Sequence, residues 1–409
     1  MPADRQEPEN IALEAEVNEA PVVRLVNSIL FQAIEQNASD IHIEPQEDHA
    51  RVRYRIDGML REIMTIPQRI QLALISRVKI ISDMDIAEKR VPQDGRFQLK
   101  FGLREIDLRV STMPTVYGEK IVARLLDKGN MKSFKINQIG LGPENLKRFM
   151  SVLRRPHGMI LITGPTGSGK TTTLYAALNE INKVERNIIT VEDPVEYTLK
   201  GINQTQVNTK SGMTFAAGLR AILRQDPDVI MVGEIRDSET AEIATRAAMT
   251  GHMVLSTIHT NNAAGAIIRL VDMGIEPFLV ASSVLAATAQ RLVRLICPKC
   301  RRAYVLGPDA PEREFIGVSP DKPVTLYRGL GCDECDYVGY RGRLAIHEIL
   351  PVTAALRALV TKNASVDEIE LKALAEKMIS LKTDGIRKAL DGLTTIEEVM
   401  RVTYTDQAW

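Results

Sequence analysis

The sequence predicts an α/β protein. Its main body is a parallel sheet covered by helices, joined to a smaller α+β N-terminal domain and to a cysteine-rich element. Three observations predict this. Four short apolar strands, GMILITG (158–164), NIITVED (187–193), VIMVGE (229–234) and HMVLSTI (252–258), alternate with helical runs from residue 145 onward. They are aliphatic on both faces, as strands buried between helix layers are. Ahead of them, RVRYRIDG (51–58) alternates apolar and charged residues strictly, the pattern of a sheet with one face on a core. Behind them stand two C-x-x-C pairs.

Composition is compatible with this and excludes several function classes. A chain of 409 residues holds two or three domains, at about 150 residues per domain. Lys plus Arg and Asp plus Glu are both 52, so there is no net charge. That balance argues against a nucleic-acid coat or a polybasic membrane anchor, while leaving room for a local basic groove. Aromatics are 4%, so the cores must be aliphatic. The longest apolar stretch, Phe278 to Ile296, is interrupted by Gln290, Arg291 and Arg294. It falls short of the about 18 uninterrupted residues of a membrane span. The N-terminus lacks a signal-peptide pattern. A cytoplasmic location is expected, with any membrane work done through partners.

In chain order, residues 1–20 are acidic and polar and read as a linker. An N-terminal α+β domain spans 21–130. It opens on a helix with Val23, Val26, Ile29, Leu30 and Ile34 near a 3.6 period. DIHIEP (40–45) reads as an alternating strand. In RVRYRIDG, Val52, Tyr54 and Ile56 face one side and Arg51, Arg53 and Arg55 the other. That basic row is either a salt-bridged sheet face or a subunit or phosphate contact. Residues 66–84 read as helix, PQDGRF (92–97) as a turn, and 104–115 and 120–126 as strands. A hinge is expected at 131–144, the parallel-sheet core at 145–296, a tetracysteine element at 297–340 and a C-terminal helical region at 341–409.

The strongest motif is GPTGSGKT, which fits G-x-x-x-x-G-K-[ST] throughout. Gly164, Pro165, Thr166, Gly167, Ser168 and Gly169 form a loop between an apolar strand and a helical run, followed by Lys170, Thr171 and Thr172. A polyphosphate needs converging backbone N–H donors, and glycines leave the room for it. The helix that follows aims its N-terminus at the phosphates. Lys170 is placed for the β/γ-phosphates, and the Thr171 hydroxyl for Mg²⁺. ATP and Mg²⁺ are therefore the expected ligands.

DPDVIMVGEIRD (226–237) has the shape of a Walker B strand, with Gly233 where a metal-holding Asp would stand. Glu234 is placed to orient an attacking water. The metal carboxylate must then act through water or come from elsewhere, and Glu192 at another strand end is the candidate. Asp193 beside it could hold the loop. His259, just after a further strand, is placed to contact the γ-phosphate. His252 reads as structural.

Cys297–Cys300 and Cys332–Cys335 are two C-x-x-C knuckles separated by residues 301–331, and they use every cysteine in the chain. Four thiolates make a closed, structural Zn²⁺ site.

Together these blocks resemble the secretion ATPase superfamily of type II secretion and type IV pilus assembly. GPTGSGKTTT (164–173), ITVEDPVEY (189–197), RQDPDVIMVGEIRD (224–237) and TGHMVLSTIHTN (250–261) match it, and Gly233 is part of its pattern. SDIHIEP (39–45), RIDG (55–58) and PQDGRF (92–97) match its N-terminal domain. The resemblance implies a RecA-like P-loop ATPase domain and a PAS-like N-terminal domain, in a homo-hexameric ring. It implies arginines that reach the γ-phosphate on closure, at Arg96 and Arg109 with Arg124 as a third position. Arg220 and Arg224 would relay ring contacts. The tetracysteine element points to secretion or pilus-extension members rather than retraction motors. The implied work is powering pseudopilus assembly in type II secretion, with pilus extension as the alternative. The implied partners are an inner-membrane platform protein and a cytoplasmic-side docking protein, at the cytoplasmic face of the bacterial inner membrane. Full-length members usually carry a further docking domain, whereas this sequence opens on the acidic stretch, either as a shortened chain or as a short member. A RecA-like nucleic-acid motor is the rival of another class, and zero net charge and few aromatics for base stacking weigh against it.

Overall fold

The structure is a computed structural model that describes residues 21–127 and 135–403. The chain divides into two compact units, Met1–Lys132 and Ser133–Trp409. The expected linker at 1–20, and 131–134 of the expected hinge, lie outside the described residues.

The first unit contains helix α1 (Pro21–Glu35), strands β1 (Asp40–Pro45), β2 (His49–Ile56) and β3 (Met59–Pro67), helix α2 (Gln68–Ile81), and strands β4 (Gln93–Phe101), β5 (Arg104–Thr115) and β6 (Gly118–Asp127). The strands form one sheet in the order β3-β2-β1-β6-β5-β4, with antiparallel neighbours throughout. One face carries α1 and α2. Helix α1 buries Val26, Ile29, Leu30, Ala33 and Ile34, an i, i+3, i+4, i+7, i+8 stripe. They pack against inward residues such as Val52, Tyr54, Leu108 and Val110. The Tyr54 hydroxyl donates to the Ile29 carbonyl (2.6 Å), which satisfies a polar tip inside an apolar core.

Two expectations for this unit change. DIHIEP is a strand, but five of its six residues are buried, so it does not alternate. Its outward-facing acids lie under long basic side chains. PQDGRF is not a turn: Gln93–Phe101 is strand β4. Gly95 is there for space and not for a left-handed backbone. A Cβ on it would stand 2.2 Å from the Ser82 carbonyl oxygen.

The second unit is built on a seven-stranded sheet, ordered β15-β12-β7-β11-β10-β8-β9. In chain order its elements begin with α3 (Pro143–Leu153), β7 (Gly158–Thr163), α4 (Lys170–Ile181), β8 (Ile188–Glu192) and β9 (Asn203–Gln206). Next come α5 (Phe215–Ile222), β10 (Val229–Val232), α6 (Ser238–Met249), β11 (Met253–Ile258), α7 (Ala263–Asp272) and α8 (Pro277–Ser283). Then β12 (Val284–Ile296), β13 (Arg301–Val305), α9 (Glu312–Ile316), β14 (Thr325–Gly329) and β15 (Tyr340–Pro351) follow. Helices α10 (Ala354–Thr361), α11 (Val366–Ala375), α12 (Leu381–Leu390) and α13 (Ile396–Thr403) complete it.

Strands β12, β7, β11, β10, β8 and β9 are parallel, and every residue of β7, β8, β10 and β11 is buried. This is the both-faces-covered sheet that their aliphatic composition demands. The expectation of helix from residue 341 needs correction. Tyr340–Pro351 is a strand, antiparallel to β12 from Ala286↔Pro351 to Ile296↔Tyr340. Its AIHEIL core buries both faces, so no two-residue period reveals it. The antiparallel hairpin β13–β14 hangs beyond β12 and shares a core with α9, α12 and α13 through Leu306, Phe315, Leu326, Ala389, Ile396 and Val399.

No helix among the described residues is long and apolar enough to cross a membrane. Gly95→Ala should destabilise the first unit by about 1–3 kcal/mol, the cost of overpacking against fixed backbone. Thermal unfolding of the variant checks this.

Candidate functional site

Parallel strands carry their carboxyl ends to one edge of the sheet, and ligands of open α/β sheets sit there. The GPTGSGKT loop follows β7, Glu192 ends β8, Glu234 lies two residues past β10, and His259 follows β11 directly. Four expected site segments, distant in sequence, thus share one edge.

Gly164, Gly167 and Gly169 have φ of 147°, 79° and 88°, the left-handed region that favours glycine. At Gly164 space is decisive as well: a Cβ would meet the Gln290 carbonyl oxygen at 2.4 Å and Ser168 Oγ at 2.7 Å. Pro165, Thr166 and Gly167 are exposed at the mouth of the loop, and Thr171 and Thr172 are exposed at the start of α4. Ser168 Oγ is buried without a hydrogen-bond partner among the described residues. Lys170 Nζ donates to the Gly164 (2.8 Å) and Pro165 (3.0 Å) carbonyls. Such a glycine-rich loop at a helix N-terminus, with a cation folded over it, fits a polyphosphate. Burial pulls the Lys170 ammonium below its usual range; the Glu234 charge counters this, and Arg291 adds to it.

Glu234 is nearly buried, and its Oε2 accepts from Arg236 Nε (2.5 Å) and faces His259 Nε2 (3.4 Å). Side chains of β11 fix this corner. Ser256 Oγ donates to the Val232 carbonyl and Thr257 Oγ1 to the Gly233 carbonyl, both at 2.8 Å. Gly233 lies tight against the next strand, since its Cβ would approach Glu192 Cα to 3.3 Å. An Asp there would crowd the strand end. Thr163 Oγ1 donates to the Thr260 carbonyl (2.9 Å) and accepts from Thr260 N (2.8 Å), which ties the phosphate loop to the His259 segment. His252 Nδ1 lies 3.0 Å from the Ala247 carbonyl, a local helix-end contact.

Glu192 is 3% exposed, and its carboxylate takes three donors: Tyr175 Oη (2.5 Å), Thr190 Oγ1 (2.6 Å) and Gln204 Nε2 (3.0 Å). Burial, and then this carboxylate, hold the Tyr175 phenol above its usual range. The arrangement binds the end of β8 to α4. Tyr175 and Gln204 carry no motif signal, and sequence reading missed them.

In the first unit the expected arginines form a row. Register pairs Arg96 with Arg109 on β4–β5, and Arg109 with Arg124 on β5–β6. Arg124 Nε in turn reaches Asp40 (3.0 Å). The Arg51–Arg53–Arg55 row is the salt-bridged face: Glu44 takes Arg51 (3.2 Å) and Arg53 (2.8 Å), and Asp40 takes Arg55 (3.6 Å). After opposing the cost of burial, the Arg53 and Lys120 contacts hold the Glu44 carboxyl down at about 2.

The four cysteine sulfurs lie within 4.8 Å of one another, with three S···S distances of 3.8 Å. Tetrahedral zinc with Zn–S of about 2.3 Å requires S···S near about 3.8 Å. The donor set therefore fits a closed zinc site and is far too open for disulfides. Backbone N–H groups of Gly331, Cys332 and Gly339 point at the sulfurs at 3.3 Å. Burial raises the Cys335 thiol, but the Cys332 and Gly339 amides overcome it and bring it to about 7.

Sequence reading also missed a buried carboxylate. Glu348, on β15, accepts from Ala263 N (2.9 Å) at the start of α7. Burial pushes its carboxyl up to about 7. The folded chain therefore holds this proton more tightly than the unfolded chain does. The stability it contributes is present below the ordinary carboxylate range and declines as pH rises to about 7. Glu348→Gln should flatten the fall in stability between about pH 4.5 and pH 7, a change of at most ~3 kcal/mol, in denaturant melts. Purified protein should carry one zinc per chain by elemental analysis, and Cys332→Ser should lose it. Because the hairpin shares its core with α12 and α13, stripping zinc should loosen those helices too while the parallel sheet keeps its fold, as read by amide exchange.

A family model described as "Type II/IV secretion system protein" matches residues 15–401. The type II secretion system protein E of Pseudomonas aeruginosa is 53% identical over 398 residues, 97% of this chain and 78% of that protein. The type II secretion system ATPase E of Vibrio cholerae is 52% identical over 97% of this chain and 78% of its own length. The type IV pilus assembly ATPase PilB of Myxococcus xanthus is 50% identical over 98% and 72%. Among solved structures, the pilus retraction motor PilT with bound ADP is 27% identical, with a TM-score of 0.59 over 95% of this chain and 98% of that one. With the phosphate loop, Glu234 and His259 gathered at one sheet edge, these likenesses establish that the chain belongs to the type II/IV secretion protein family and is an ATP-hydrolysing enzyme.

Proposed function

We propose that this ATPase works as a homo-hexamer at the cytoplasmic face of the inner membrane and powers pseudopilus assembly in type II secretion. In this reading it acts on a platform protein and is held by a docking protein. Two type II relatives at 52–53% identity favour type II secretion. Pilus extension remains the second reading, carried by the Myxococcus xanthus relative at 50%.

The observation that carries the mechanism is the shared sheet edge. Gly164 to Thr172, Pro165 excepted, bind the phosphates through backbone N–H groups and the N-terminus of α4. Lys170 exchanges its two loop carbonyls for phosphate oxygens. Thr171, exposed on the first turn, would hold Mg²⁺, which supplies charge neutralisation at the leaving phosphates. Glu234 orients the attacking water, and Arg236 and His259 set the direction of its carboxylate. With three donors of its own, Glu192 supports the metal shell through water and braces the end of α4. Register sets Arg96, Arg109 and Arg124 side by side, and in this reading their guanidinium groups supply positive charge to the γ-phosphate. The tetracysteine element takes Zn²⁺ as a structural ion.

Lys170→Ala should abolish nucleotide binding. Glu234→Gln should keep ATP bound but slow hydrolysis at least ~100-fold, the scale of a lost water-positioning carboxylate. Turnover of that variant at the parental rate would refute its role. Complementation of a secretion-null and a pilus-extension-null strain separates the two assignments, and secretion is expected to be restored. ATPase activity that needs DNA and collapses with salt would instead indicate a nucleic-acid motor.

A further inference from the structure

We propose that two consecutive residues of β12, Gln290 and Arg291, are positioning residues for the phosphate loop, gripping it from opposite faces of the sheet. This deepens the reading of Gly164–Thr171 as the phosphate cradle and rests on it.

Strand β12 lies beside β7, with Ala289 opposite Thr163, so Gln290 and Arg291 run alongside the start of the loop. Neighbouring strand residues point to opposite faces. Gln290 is 2% exposed, and both ends of its carboxamide are used. Nε2 donates to the Ser168 carbonyl (2.7 Å), and Oε1 accepts from Thr173 Oγ1 (2.7 Å) on the first turn of α4. One side chain thus fixes the loop to the helix whose N-terminus faces the phosphates. The carboxamide Nε2 would also meet a Cβ on Gly169 at 2.8 Å. Arg291, 7% exposed, spans the other face. Its Nη1 donates to the Gln290 carbonyl (3.2 Å), and its Nη2 to the Asn261 carbonyl (2.8 Å), two residues past His259. Nη1 lies 3.3 Å from where a Gly164 Cβ would stand, which puts the guanidinium against the loop's first peptide.

The two grips do different work. Gln290 sets where the loop's N–H groups stand relative to α4, which governs phosphate affinity. Arg291 sets the distance between the loop and the His259–Glu234 corner, which governs the chemical step.

The full-length chain is assayed for ADP binding, for steady-state ATP hydrolysis and for amide exchange over residues 164–173. Gln290→Glu keeps the size and the acceptor for Thr173 but cannot donate to Ser168. It should weaken ADP and raise KM at least ~5-fold, the scale of one lost buried donor, with faster exchange confined to the loop. Thr173→Val breaks the same clasp from the helix side and should shift KM in the same direction, whereas Thr173→Ser should restore parental values. Arg291→Lys keeps the charge but loses the planar fork, and should lower kcat about 10-fold or more with ADP affinity within about 3-fold. Parental affinity and loop exchange in both Gln290→Glu and Thr173→Val would overturn the Gln290 assignment. Parental kcat in Arg291→Lys would overturn the other. Lys170→Ala, run alongside, separates the two levels: if it still binds ADP, the cradle reading itself fails.

Discussion

Backbone donors must reach a polyphosphate with no side chain in the way, and the rest of the second unit is arranged around that need. The constraint is tightest at Gly164, where a Cβ would stand 2.4 Å from the Gln290 carbonyl oxygen. A loop stripped of side chains has little packing of its own to hold it. A direct hold comes from a neighbouring strand: Gln290 of β12 donates to the Ser168 carbonyl, while Arg291 and Thr260 tie the flanking segments together. The parallel sheet is buried on both faces, so its edge cannot shift without opening the core. Rigidity of the sheet becomes precision at the loop.

The same edge carries an unusual density of buried polar groups, and their satisfaction explains the departures from the simplest motif. At Gly233, where the common motif has an acid, a Cβ would stand 3.3 Å from Glu192 Cα. Glu192 is held in a buried position by three donors. An unpaired carboxylate in that position would cost several kcal/mol, at roughly 1–3 kcal/mol or more per unsatisfied group. Glu234 remains at the partly exposed corner, where water can reach it.

The first unit solves a different problem. It carries many arginines on one sheet, and two acids on β1, Asp40 and Glu44, pair with Arg51, Arg53, Arg55 and Arg124. Register sets Arg96, Arg109 and Arg124 side by side across three strands, with Arg124 paired to Asp40.

Local chemistry was legible in the sequence. The phosphate loop, the C-x-x-C knuckles, the Walker B strand and the four core strands each lie within a dozen contiguous residues, and their residue types are dictated by what they touch. The N-terminal α1 stripe and the RVRYRIDG strand were legible for the same reason, as one short period fixes one face. What only the tertiary structure decided is set by pairings between distant segments. Strand β15 joins the sheet through β12 although its buried residues show no period. Glycine at position 95 answers to a carbonyl at position 82, not to a turn. Gln290 interrupts an apolar run for a reason that resides at Ser168 and Thr173, more than a hundred residues earlier in the chain. Register aligns the three arginines, and a one-residue slip would scatter them to the core face. Local sequence specifies which atoms are available; only the packing of the sheet specifies which of them meet.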